Sequence, residues 1–228
     1  DRYVTLEGKE TVIYLKSGVE DQFRSNDGGK TLEMIKRFSL ASMKSEKTLS
    51  YKISPAITID KLSKIKVFEG DREIKIESLS SLGYASATGN IVLAESFDLA
   101  KSYTLEIDGY GSKTVIPMEI FDSKYFADNY HYDGNDLGAV INGSNTTFKV
   151  WAPTASKVVL NLFEQGHEVD AYKSVDMVRG DKGVWSYTEA CGHGTYYTYT
   201  VTTAVGTQEA TDPYAKSAGV NGNRSMVV

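Results

Sequence analysis

Apolar and polar side chains alternate through most of this chain. In Glu73–Glu77 (EIKIE), Ile74 and Ile76 point one way and Glu73, Lys75 and Glu77 the other, the period of two of a strand with one face on a core. Similar short runs recur at Thr11–Lys16, Leu49–Ile53, Ile65–Phe68, Asn90–Leu93 and Tyr103–Ile107. After an interruption they resume at Thr147–Trp151, Lys157–Phe163, Ser174–Val178, Val184–Thr188 and Tyr196–Val201. Stretches rich in Gly, Asn and Asp, such as Ser25–Gly29 and Asp108–Gly111, separate the runs and supply turns. Residues 31–43 suit either a pair of strands or a helix. The interruption, Met118–Asn129, spaces Ile120, Phe121, Tyr125 and Phe126 at near-helical intervals and predicts a short helix, followed by a tight turn over His131–Leu137. Many short strands spaced by turns predict an all-β fold: two consecutive immunoglobulin-like β-sandwich domains, 1–117 and 118–228, joined by a short helical segment.

Charge divides near the same place. Residues 1–118 carry 17 Lys+Arg against 17 Asp+Glu. Residues 119–228 carry 8 against 13, which is the whole net charge of −5, and hold both tryptophans, Trp151 and Trp185. With 41% apolar and 24% charged residues each half has the material for a core, and disorder, collagen-like repetition and coiled coil are poor readings. A net negative chain lacks the basic face that neutralises phosphates, so no nucleic-acid partner is expected. No apolar run reaches the length of a membrane-crossing helix, so a soluble chain with no membrane partner is expected; Asp1 in place of a methionine and leader reads as a processed or cut chain. The lone Cys191 makes neither an intrachain disulfide nor a CxxC site, and it leaves the compartment open.

Catalytic signatures are sparse. His131, His167 and His193 each sit in a turn, and although His193 lies two residues from Cys191, chain neighbours on a glycine-rich hairpin seldom form a positioned dyad. GxSxG, HExxH and Gly-rich phosphate-loop patterns are absent. Asp133, Asn135 and Asp136, like Asn26 and Asp27, offer oxygens to a hard cation, yet neither stretch continues into an EF-hand pattern. Asx turns are therefore favoured, and no metal or cofactor is expected. Aromatics are more informative, because sugar rings lie on exposed aromatic planes. Trp151, Trp185 and Tyr197 are the candidate carbohydrate-binding residues, with sandwich core or domain interface as the competing assignment.

The run Tyr132-Asp-Gly-Asn-Asp-Leu-Gly-Ala139, then Phe148-Lys-Val-Trp-Ala-Pro-Thr-Ala155, Val158 to Leu162, Gly183-Val-Trp185, His193 to Tyr199 and Thr211-Asp-Pro-Tyr-Ala-Lys216 resembles the early region of bacterial type I pullulanases. Over roughly residues 117–228 it is similar to the family 48 carbohydrate-binding module, also called the isoamylase N-terminal domain. The resemblance implies a non-catalytic region ahead of an α-amylase-type (β/α)₈ barrel that hydrolyses α-1,6 links, with Val220–Val228 leading into it. Such a barrel takes about 250 residues and is not contained here, so no catalytic residues are expected. The resemblance also places the stacking tryptophans of glycogen-binding relatives near His167 and Glu209, neither of which offers an indole face. It therefore implies a structural collar packed on the catalytic domain, with Tyr132, Asp212, Pro213 and Tyr214 at the junction, aromatics such as Tyr130 covered there, and weak α-glucan binding at most. Alternatives are an independent α-glucan-binding protein and an immunoglobulin-like cell-surface spacer. An extracellular or cell-surface location is implied, with the cytoplasm as alternative. The first half carries no family motif; a sugar platform there would need tyrosines such as Tyr3, Tyr14, Tyr51, Tyr84 or Tyr110.

Overall fold

The computed structural model describes residues 12–15, 22–58, 65–81 and 85–228. The chain divides into two compact units, residues 1–97 with 103–120, and residues 98–102 with 121–228. Among the described residues no helix is long and apolar enough to cross a membrane. The fold is all-β, as the alternation implies.

In the first unit β1 (Val12–Leu15), β2 (Gln22–Ser25) and β3 (Glu33–Ile35) form an antiparallel sheet. A second sheet is built from β4 (Arg37–Met43), β5 (Thr48–Thr58), β6 (Ile65–Glu69), β7 (Arg72–Ile74), β8 (Ile76–Ser81), β9 (Ala85–Leu93), β10 (Tyr103–Ile107) and β11 (Gly111–Pro117), in the order β7-β6-β10-β11-β4-β5-β9-β8. Its two halves meet where β11 runs parallel to β4. Val67 and Leu105 from one half and Leu49, Ile53 and Ile91 from the other are fully buried, the burial of a sandwich.

Two local readings change. Residues 31–43 are strands, but β3 pairs with β2 and β4 with β5 and β11, not with each other. Glu73–Glu77 is not one strand: the chain leaves β6 for β9 at Lys75, whose carbonyl accepts the Ala94 N–H at 3.0 Å. Thr11 and Lys16, the ends of the first expected strand, lie outside the described residues.

The second unit begins with a helix whose start is written in the sequence. Ser123 Oγ accepts the Phe126 N–H at 3.2 Å, satisfying an otherwise orphaned donor and starting α1 (Lys124–Tyr130). One sheet of the sandwich joins β12 (Gly138–Asn142), β13 (Asn145–Trp151), β17 (Val184–Glu189) and β16 (Val178–Arg179). The other has the order β15 (Lys173–Asp176), β14 (Lys157–Phe163), β18 (Tyr196–Thr203), β21 (Ser225–Met226) and β20 (Ser217–Ala218), with β19 (Gly206–Ala210) also on β18. Val158, Leu160 and Leu162 share the buried face, as the alternation requires, and meet Phe148, Trp185, Tyr197 and Tyr199 in one core. Ser174–Val178, read as a single strand, is two: the chain crosses from one sheet to the other at Met177, whose side chain is buried between them. The outer face of the second sheet carries buried Asn161 and Thr198. Asn161 Nδ2 donates to Thr200 Oγ1 (2.9 Å), its Oδ1 accepts from Ser174 (2.8 Å), and Thr198 donates to Glu209 (2.5 Å), so the buried polar atoms are bonded.

Candidate functional site

Two of the three expected sugar-binding aromatics are core residues. Tyr197 stands opposite Leu162 on β14, is fully buried, and packs edge-on against Phe148 with ring centroids 4.9 Å apart. Trp185 is 5% exposed and its indole N–H donates to the Ala152 carbonyl at 3.1 Å. A sugar needs an accessible ring face, so neither residue serves as a platform; strand register turned both toward the inter-sheet space.

Trp151 has the opposite fate. It lies half-buried at the edge of a cavity of about 390 Å³ lined by Phe121, Phe126, Ala127, His131, Tyr132, Leu137, Trp151 and Tyr214, all in the second unit. Its indole N–H donates to the Tyr130 and Lys182 carbonyls, each at 3.0 Å, and Lys182 Nζ donates to the Asp128 carbonyl at 2.6 Å. These bonds tie the C-terminal end of α1 to the sandwich. Phe126 stacks on Tyr130 (5.3 Å) and meets Trp151 edge-on (6.1 Å), while Phe121 meets Phe126 edge-on at 5.0 Å. Helix and strand thus present one connected aromatic wall.

The opposite wall comes from two turns. Tyr132 donates its hydroxyl to Asp136, whose other oxygen takes Lys149 Nζ from β13. Lys149 and then Tyr132 hold the Asp136 carboxyl below its usual value, and bonding to that carboxylate pushes both the Tyr132 phenol and the Lys149 ammonium up. Tyr214 leans on Gly138, where φ is +97° and a Cβ would approach the Tyr214 carbonyl oxygen to 3.0 Å; a glycine is needed for both reasons.

Asp212, expected at the junction, works from inside. It is 5% exposed and accepts from the Tyr197 hydroxyl (2.8 Å), the Tyr199 hydroxyl (3.4 Å) and the Tyr214 N–H (2.8 Å), while its own N–H donates to Ser225 Oγ (2.8 Å). Burial raises its carboxyl above the ordinary 3.8 and pushes both phenols well up. Pro213 and Tyr214 are exposed, so the Asp-Pro-Tyr turn has a buried anchor and a surface tip.

The remaining candidates are surface or structural residues. His131, His167 and His193 are exposed, and burial pushes the half-buried Cys191 thiol up, away from a thiolate nucleophile. Asp27 accepts from Ser25 and from the N–H and hydroxyl of Thr31, which lower its carboxyl to about 2; it closes its own turn. In the first unit Tyr51 is 2% exposed, and Tyr110 donates to the Pro55 carbonyl (2.6 Å) with Lys36 over its ring. Tyr3, Tyr84 and the Tyr14 side chain lie outside the described residues. Leu137 and Lys149 carried no functional expectation from the sequence, and Phe121 and Phe126 only that of a helix face. Their signal, the aromatic density of residues 121–132 and a lysine at a half-buried strand position, is equally the signal of ordinary packing.

Fold and site together define a β-sandwich with an aromatic-lined surface cavity. Residues 136–215 match the family model "Carbohydrate-binding module 48 (Isoamylase N-terminal domain)". The chain is 36% identical over 120 residues to a pullulanase of Bacillus subtilis (strain 168), covering 52% of this chain and 16% of that protein. Among solved structures, the pullulanase from Bacillus acidopullulyticus superposes with a TM-score of 0.75 at 21% identity, covering 84% of this chain and 37% of the other, a likeness of fold. The pullulanase from Anoxybacillus sp. LM18-11 complexed with maltotetraose gives 0.62 at 28% identity over 83% of this chain and 26% of that one. The chain is thus similar to part of these pullulanases and spans about a sixth of that curated relative, and its described residues form strands with one α-helix and no (β/α)₈ barrel.

Proposed function

We propose that these residues form the non-catalytic accessory region of a pullulanase-type glycoside hydrolase acting on α-1,6-linked glucan, and that they serve mainly as a structural collar for a catalytic domain in the same polypeptide. One observation carries this reading beyond the family likeness. The aromatics that a sugar-binding role would need exposed, Trp185 and Tyr197, are spent on the core, while Trp151, Tyr132 and Tyr214 gather around a surface cavity. Asp212 anchors that surface from within, Pro213 and Tyr214 are exposed and Tyr132 is half-buried, which supports assigning these residues to the junction. Among the described residues there is no (β/α)₈ barrel to place carboxylates as such a glycosidase does, which supports assigning hydrolysis to the rest of the polypeptide.

Affinity electrophoresis in glycogen and pullulan gels, with reducing-sugar release assayed on the same preparation, tests this reading. Weak or no retardation and no sugar release are expected. Strong retardation would favour an independent α-glucan-binding protein. Hydrolysis of pullulan that survives removal of trace full-length enzyme would overturn the reading.

A further inference from the structure

Asparagine stands before glycine twice in this chain, at Asn142-Gly143 and Asn221-Gly222, and the fold holds the two steps differently. Asn142 ends β12 and pairs with Asn145 across a loop made of Gly143 and Ser144 alone. All four residues are exposed. β12 is an edge strand of its sheet, and only Gly138 of its five residues is buried, so the tip of this ladder opens at little cost. Among the described residues nothing bonds the Asn142 side-chain amide, and no acceptor meets the Gly143 N–H. Gly143 sits at φ +63° with open space where a Cβ would stand, which leaves its nitrogen open to the side chain before it. Asn221 is the opposite case. It is fixed in the left-handed region at φ 56° and ψ 14°, and the Gly222 N–H donates to the Gly219 carbonyl at 3.1 Å. The nitrogen that would have to attack is already bonded.

We propose that Asn142 is a site of spontaneous deamidation, a covalent modification of the β12–β13 hairpin that needs only solvent water and is independent of the role of the region. Base in solution takes the Gly143 amide proton, and that nitrogen attacks Asn142 Cγ. The new N–C bond closes a cyclic imide while the Cγ–Nδ2 bond breaks, and the side-chain amide leaves as ammonia with the proton. Water then adds to one of the imide carbonyls and reopens the ring, so the net change is one water taken up for one ammonia released. Addition at Cγ gives aspartate. Addition at the main-chain carbonyl gives isoaspartate, in which the backbone runs through Cβ and is longer by one carbon. Either product places a new carboxylate at the hairpin tip. The longer backbone cannot keep both the Asn142–Asn145 pair and the two-residue loop, so it frays the end of β12 or shifts its register.

The test incubates the folded chain and an Asn142→Ser variant in mildly alkaline buffer, maps their peptides by mass, and detects isoaspartate with an isoaspartyl methyltransferase. The same chain in concentrated guanidinium chloride is the reference, because unfolding gives both Asn-Gly steps the same freedom. In the folded chain, product at Asn142 is expected about tenfold or more faster than at Asn221, with the two rates converging in denaturant. Asn142→Ser should lose most of the ammonia released. Comparable rates at the two sites in the folded chain overturn the assignment, and so does a preference that persists unchanged in denaturant, since neither depends on how the fold holds each step. Reaction at Asn142 in denaturant alone shows that the hairpin protects it, and also overturns the proposal. Ion exchange separates the products by their added charge. The isoaspartate form should unfold at a lower urea midpoint by tryptophan fluorescence, and an unchanged midpoint contradicts the fraying of β12.

Discussion

Asp212 shows how one residue can be both legible and misplaced. The Asp-Pro-Tyr motif marked it for the junction, but the carboxylate lies beneath the surface, holding Tyr214 by its N–H and bonded to two core phenols. Burial outweighs these bonds, and the folded-state value lies above the ordinary 3.8. A raised value means that the folded chain binds the proton more tightly than the unfolded one. The stability this group contributes is therefore complete below the unfolded value and is lost as pH rises through the folded one. Asp212→Asn keeps an acceptor but cannot ionise, so its stability relative to the parent chain should rise as pH climbs from about 4 through the raised folded value. Urea midpoints at matched pH values measure this, and a difference that falls over the same range contradicts it. Asp136, held low by Lys149, follows the opposite sign and loses its contribution as pH falls through its lowered value.

At the scale of elements, alternation located strands well and their neighbours poorly. Lys157–Phe163 is a strand over the full run expected, with its apolar face in the core. Glu73–Glu77 and Ser174–Val178 were each split, because a period of two tells which side chains share a face but not where the backbone changes partner. The turns that redirect the backbone have their own demands. Gly183 precedes β17 with φ at +75°, and a Cβ there would stand 2.4 Å from Pro153 Cα. Gly143, in the β12–β13 turn, has φ at +63° and open space around it. Gly143→Ala should cost about 1–2 kcal/mol for its backbone conformation alone. Gly183→Ala should cost clearly more, since the Pro153 backbone must also move. Equal losses in denaturant unfolding followed by tryptophan fluorescence would show that the close approach is readily relieved.

For the whole molecule the expectation is two folding units, proposed with a boundary near residues 117–121. Both tryptophans fall in the second unit, so their fluorescence follows that unit alone, while far-UV circular dichroism follows strands of both. Urea unfolding should therefore give a single fluorescence transition whose midpoint differs from that of the dichroism curve. Coincident curves from the two probes would instead mean one cooperative unit.

By itself the sequence determined the all-β class, the helical interruption after Pro117, the inward face of Lys157–Phe163 and the motifs shared with pullulanases, because each depends on local periodicity or on residues adjacent in the chain. It did not separate the two tryptophans. Both belong to alternating runs, and what each indole meets is decided in three dimensions: Trp185 stands opposite Val150 and both are buried, whereas Trp151, opposite Val184, has its ring at the cavity edge beside α1. The cavity itself joins residues 121–137 to 151 and 214, and the Asp136–Lys149 and Trp151–Lys182 bonds that fix its walls bridge separate elements. No periodicity encodes such meetings, since they arise from which strands pair and how α1 docks on them. Tertiary structure alone turned one indole into core and the other into part of a surface.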